Sequence, residues 1–300
     1  MTGNDFTARK MSDAELSKKL GRYQTLERIT LVLGLILAAA GAVSAFVRHD
    51  LILFAVLFFL GVGIIVFVCG FINAKKNLLL NSQLGDFMRN ERLRAFGPSA
   101  SNATMPIDME FIKLSGLISA GWDECEISNF YEGAHGGKPF SAANAVLYRS
   151  VEERSGPNND NWMTKTVTVF RGVVVRSADI RAEGFDICIT DKMQEKPPSG
   201  DVADPAVFRE RFFARTLDGR DASGLVTPQL AAMCSKLEAA ASGRLCGLLI
   251  SGGSASVMLN TGYRFLNVPP DIDLRDLNAF RREYAASIEK MGEIIDILHS

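Results

Sequence analysis

Residues 29–47, ITLVLGLILAAAGAVSAFV, and residues 51–72, LILFAVLFFLGVGIIVFVCGFI, are two uncharged runs separated only by Arg48, His49 and Asp50. At ~1.5 Å rise per residue they make helices of about 28 and 33 Å, and a bilayer's hydrocarbon core is ~30 Å thick. Both are apolar on every side, which suits lipid better than the core of a soluble domain. The 300-residue chain is 47% hydrophobic. Without these runs the remainder falls to roughly 41%, ordinary for soluble domains. The expectation is a soluble-type protein with a transmembrane helical hairpin at residues 29–72. A wholly soluble globule, a disordered chain and a multispan channel do not fit.

A connection of three residues forces the helices antiparallel, so the two outer ends lie on one side. Lys18, Lys19, Arg22 and Arg28 precede the first run, Lys75 and Lys76 follow the second, and Arg48 alone is basic in the turn. Lys and Arg flanking spans are retained in the cytoplasm, so both termini are expected there. Val43-Ser44-Ala45 resembles a signal-cleavage site. The 28-residue polar leader and the length of the run, against a usual h-region of ~7–15 residues, argue against cleavage. Neither run contains Asp, Glu, Lys, Arg or His, and such groups inside a membrane mark transport paths. Gly34, Ala38, Gly41 and Ala45 recur at helical spacing and permit close approach, chiefly of the hairpin to itself and secondarily of a homo-oligomeric partner.

Ser12-Asp13-Ala14-Glu15 has the capping-box form, so a helix starts there within the segment 1–28. A juxtamembrane helix occupies 73–97 and stops at Gly97-Pro98. Residues 98–300 are long enough for a domain of their own. A short helix is predicted at Ile107–Ile118. Strands are predicted at Cys125–Tyr131, Ala145–Val151, Lys165–Val175, Phe185–Thr190, Phe208–Ala214, Arg244–Ile250 and Ala255–Asn260, on period-two alternation and β-branched content. Gly-rich or Asn/Asp-rich turns at Gly133–Gly137, Gly156–Asn161, Pro197–Asp204 and Ser251–Ser254 separate strands. Thr227-Pro228 opens a helix. After Pro269-Pro270, apolar residues from Leu274 to Leu298 recur every three or four positions as a long amphipathic helix. The fold class is α+β, with about seven mostly antiparallel strands closed by a C-terminal helix. A partly closed sheet or barrel like that of pleckstrin folds is the expected form.

The formal charge of -1 argues against a nucleic-acid partner. Cys69, Cys125, Cys188, Cys234 and Cys246 contain no CxxC pair and read as free thiols in a reducing compartment. No metal site, nucleotide loop or other cofactor motif is present. His135, among three glycines, and Lys138 beside it form one candidate binding loop. Arg171 and Asp186 are further binding candidates, the latter grouped with Glu183 and Asp191. Solvated turn charges are the simpler reading of that acidic group. Cys125, between Glu124 and Glu126, is a poor nucleophile because neighbouring carboxylates raise a thiol pKa. No catalytic residue is assigned.

Several pieces also carry a resemblance. They are the hydrophobic hairpin, Tyr131-Glu132-Gly133-Ala134-His135-Gly136-Gly137-Lys138-Pro139-Phe140, Val169-Phe170-Arg171-Gly172-Val173, Asp204-Pro205 with Phe208, Leu225-Val226-Thr227-Pro228-Gln229-Leu230, and the ending Ile294-Ile295-Asp296-Ile297-Leu298. In this order they resemble the bacterial membrane family known as domain of unknown function 3137. The resemblance implies a two-span protein of the bacterial inner membrane with a cytoplasmic domain, and it brings no activity. The functional expectation is a membrane-tethered module that binds a protein, peptide or lipid headgroup. The alternative is a membrane-anchored hydrolase-like enzyme using the His135 loop.

Overall fold

A computed structural model describes residues 11–48, 51–98, 107–154, 162–180, 186–193, 200–262, 265–266 and 273–300. Of the residues named above, His49, Asp50, Glu183, Phe185, Pro269, Pro270, the turn around 156–161 and turn residues 197–199 lie outside these. The chain divides into two compact units, Met1–Asn90 with Asp271–Arg282, and Glu91–Pro270 with Glu283–Ser300.

In the first unit, α1 (Asp13–Arg48) begins at the expected capping box. The Ser12 hydroxyl accepts from the Glu15 amide and the Glu15 carboxylate accepts from the Ser12 amide, both at 3.3 Å. It continues without a break through the first apolar run. The second run comprises α2 (Leu51–Gly63) and a π-helical turn at Ile64–Cys69 bounded by two glycines, and α3 (Gly70–Phe96) follows directly. Both helical stretches are long and apolar enough to cross a membrane. Their side chains are not a buried core: Ile36 is 59% exposed, Phe59 70% and Phe67 77%. Exposed apolar surface on this scale needs an apolar medium or a partner.

The hairpin packs through its small residues. A Cβ on Gly61 would stand 2.5 Å from the Gly34 carbonyl and 2.9 Å from the Ala38 nitrogen. A Cβ on Gly41 would meet the backbone of Phe54 and Phe58 at 3.1 Å. Gly34, Ala38 and Gly41 therefore serve the intramolecular pair. At the polar end Lys76 bonds Glu27 at 2.6 Å, and Cys69 Sγ lies 3.8 Å from the Glu27 carbonyl. Beyond it Leu16, Leu20, Leu80 and Leu84 are buried, and Arg281 grips Asp13 through two bonds of 2.9 Å.

The second unit is a seven-stranded antiparallel sheet of β1 (Glu124–His135), β2 (Lys138–Arg154), β3 (Trp162–Ala178), β4 (Ile187–Asp191), β5 (Phe212–Arg215), β6 (Arg244–Ser251) and β7 (Ser254–Asn260). Its order is β1-β2-β3-β7-β6-β4-β5. The β1–β2 and β6–β7 turns, Gly136-Gly137 and Gly252-Gly253, have positive φ at two successive residues, the turn that matches strand twist and that glycine adopts without strain. Alternate residues serve opposite faces. Val174, Leu147, Phe170 and Met258 join a core with Ile112, Leu117 and Trp122. Val173 and Val175, equally buried, point to the other face. The helix α6 (Pro228–Ala241) packs on β6 and β7, capped by Thr227. The chain ends in α7 (Leu277–Leu298).

Three expectations need correction. Among the described residues the sheet is open, with β1 and β5 as its edges, because none of its strands joins the two ends of the order. Phe208 is not in a strand: Asp204 accepts from the Ala206 amide and Pro205 occupies the first turn, so a short helix α5 (Pro205–Arg211) precedes the four residues of β5. The helix near Ile112 is only α4 (Met109–Leu114), begun by Asp108.

Candidate functional site

The β1–β2 turn makes His135 and Lys138 the last paired residues of the hairpin. They meet over one carboxylate. Lys138 Nζ donates to Asp296 of α7 at 2.7 Å, and His135 Nε2 lies 3.4 Å from its other oxygen. The Lys138 bond, with a smaller contribution from His135, holds the Asp296 carboxyl below its usual range. Gly292 makes room for the imidazole, since a Cβ there would stand 2.7 Å from His135 Cε1. One turn on, His299 Nε2 is 2.8 Å from Ser177 Oγ, whose hydroxyl also bonds the Pro139 carbonyl at 2.9 Å. Ser177 has no exposed surface, so this Ser–His pair offers no nucleophile to a substrate. The corner ties the C-terminal helix to the sheet.

The other two candidates are elsewhere. Arg171 is exposed and stands opposite Val146, eight residues along β2 from Lys138, or about 27 Å at strand rise. Asp186 is exposed just before β4, four strands from β2 and so roughly 19 Å across the sheet. The structure brings His135 and Lys138 together and leaves Arg171 and Asp186 apart.

Asp191 is not the solvated turn charge expected from its neighbours: it has no exposed surface. It accepts from Arg211 Nε at 3.1 Å, Arg244 Nε at 2.7 Å, Arg244 Nη2 at 2.6 Å and the Met193 amide at 2.6 Å. Glu238 of α6 completes the cluster, bonding both Arg211 terminal nitrogens and the Leu245 amide. Two carboxylates and two guanidiniums balance in charge, as burial requires.

Immediately outside this cluster is a groove. The Lys192 amide bonds the Arg211 carbonyl, so the buried cluster fixes the backbone from which Lys192 and Phe212 project. Two adjoining depressions of about 340 and 430 Å³ share Arg209 and Ser223. One is walled by Phe208, Val226 and Pro228 at the start of α6, whose amide end favours negative charge. The other is walled by Phe213, Arg215 and Lys192. Phe213 is 46% exposed and carries the Lys192 ammonium 5.0 Å and the Arg215 guanidinium 5.5 Å from its ring centre. Asp221 is the acid of the lining, and its carboxylate is engaged by the Ser223 hydroxyl and amide. Three cations against one occupied acid leave the groove positive.

Among the described residues no three His, Cys, Asp or Glu side chains converge as a metal site. The cysteines are free, and burial pushes the thiols of Cys234 and Cys246 up to about 12 and raises those of Cys125 and Cys188. Little thiolate exists at neutral pH. No protein-family model, curated protein or solved structure matches the chain.

Proposed function

We propose that this is a two-span protein of the bacterial inner membrane, both termini cytoplasmic, whose sheet domain binds an acidic, apolar-containing segment of a partner protein in the groove beside β5. The observation that supports this reading is the shallow positive groove itself. Its exposed Phe213 is framed by Lys192 and Arg215, with Arg209 and the α6 amide end beyond. Cations over an aromatic ring suit a ligand with carboxylates and apolar side chains. The basic flanks of the hairpin support the orientation, and the resemblance to domain of unknown function 3137 supports the bacterial membrane setting.

The test is an array of peptides spanning net charge -4 to +4, about a dozen residues each, probed with the full chain in detergent. Acidic peptides containing Phe or Leu are expected to bind, and Arg209→Glu/Arg215→Glu to lose them. Charge-independent binding, or binding unaffected by those changes, would contradict the reading. A second reading, hydrolase-like chemistry at His135, draws on the 3.4 Å approach to Asp296. It requires His135→Ala to abolish turnover of a generic ester while leaving the fold intact.

A further inference from the structure

The cytoplasmic end of α1 turns Leu16 and Leu20 inward. Ala14, Lys18, Gly21, Arg22 and Thr25, spaced by three and four residues, border an open groove of about 890 Å³ whose far wall is Arg275. Arg275 is fixed there rather than waving in solvent. Its stem lies across Gly21, where a Cβ would overlap the Arg275 Cγ and Cδ. Its carbonyl accepts from the Ser17 hydroxyl, and its Nε sits on Asp273 at 3.0 and 3.1 Å. The guanidinium remains largely exposed, at 57% for the side chain. Lys18 and Arg22 are exposed, and among the described residues they have no ion-pair partner. Three cations against Asp273 leave a net positive groove.

Its height follows from the hairpin register. Gly34 faces Gly61, and Glu27 is level with Cys69, so Ile72, the last apolar residue of the second run, is level with about Gln24. Arg22 and Lys18 then lie about 3 and 9 Å beyond the apolar layer at ~1.5 Å per residue. A headgroup layer is roughly 5–8 Å thick on each side, and long basic stems reach across its edge. On the membrane side the groove continues over Thr25 and half-exposed Leu26 onto the apolar surface of α1.

We infer that this groove is a binding site for an anionic phospholipid, its phosphate held by Lys18, Arg22 and Arg275 and its acyl chains running past Leu26 along α1. The inference rests on the reading that the hairpin spans a bilayer. Each cation at the surface is worth about fivefold in affinity, the equivalent of ~1 kcal/mol.

The experiment is native mass spectrometry of the full chain in mild detergent, titrated separately with phosphatidylglycerol, phosphatidylcholine and inorganic phosphate. Phosphatidylglycerol is expected to bind roughly 25-fold more tightly than phosphatidylcholine, with no retention of phosphate. Lys18→Ala/Arg22→Ala removes that preference. Arg275→Gln, which keeps a stem over Gly21, reduces it about fivefold. Lys19→Ala/Arg89→Ala, the same charge change off the groove, leaves it in place. Equal binding of the two lipids, equal loss in the off-groove pair, or retention of phosphate alone would each overturn the site. Carbonate extraction is run in parallel. A chain that resists extraction yet shows no preference overturns the lipid site alone, whereas an extractable chain overturns the membrane reading and the site with it.

Discussion

Replacing Asp191 by Asn keeps the side chain's volume and removes its charge. Asp191 is fully buried and accepts four hydrogen bonds, three of them from guanidiniums. An amide turns one acceptor into a donor that faces another donor. Arg211, with a side chain 11% exposed, keeps Glu238 but loses its bond to Asp191, and Arg244, at 29%, loses both of its bonds to that carboxylate. Removing one partner of a buried ion pair costs about 3–5 kcal/mol, and the access of Arg244 to water places this case near ~3 kcal/mol. For a domain of about 200 residues, 1 kcal/mol moves the melting temperature by roughly 2–4 °C. The expected fall is therefore about 6–12 °C, read by near-UV circular dichroism of the full chain in detergent at neutral pH. Asp186→Asn, at an exposed position five residues earlier, is the control and stays within ~0.5 kcal/mol. A fall below about 2 °C for Asp191→Asn, or equal falls for both variants, would refute the buried-cluster reasoning.

Gly61→Val drives a Cβ against the Gly34 carbonyl and the Ala38 nitrogen and should lower stability by about 1–3 kcal/mol, whereas Gly63→Val, which meets nothing within 4 Å, should not. Thermal aggregation in detergent distinguishes them, and equal effects would discount the small-residue interface. Burial lowers the His299 pKa below its ordinary 6.5. Between the two values the unfolded chain holds a proton that the folded chain lacks, so stability declines as pH falls from about 7, and His299→Gln should flatten that slope in urea melts. Asp296 is held below its ordinary 3.8, chiefly by Lys138. Its contribution is present above that value and is lost as pH falls through the folded one, so Asp296→Asn should matter above pH ~4 and converge with wild type in acid. The pair is half-exposed, and the difference should stay under ~1 kcal/mol.

The hairpin, all seven strands in approximate position and the long amphipathic C-terminal helix were legible because each is a local periodicity. Thr166 to Val175 alternates visibly, and Ser12 with Glu15 announces a helix start. What escaped was set by distance along the chain. Asp191 meets Arg211 and Arg244 only because the sheet order places β4 between β5 and β6. The pairs are 20 and 53 residues apart, and nothing beside Asp191 marks it as buried. The β5 groove likewise draws on α5, β5 and the start of α6. Its one local clue is Asp204-Pro205, which caps and opens α5, while the apolar Phe208, Phe212 and Phe213 read as a longer strand. His135 was singled out for its glycines, but the partner that explains it, Asp296, lies 161 residues away on α7.

The proposed orientation puts both termini of the two-span chain in the cytoplasm. Reporters active only in the cytoplasm or only outside it, fused to the N- and C-termini of the full chain in bacterial cells, test this most directly. Both fusions are expected to read cytoplasmic in a carbonate-resistant membrane fraction. A C-terminus that reads as periplasmic, or a chain that appears in the soluble fraction, would contradict the account.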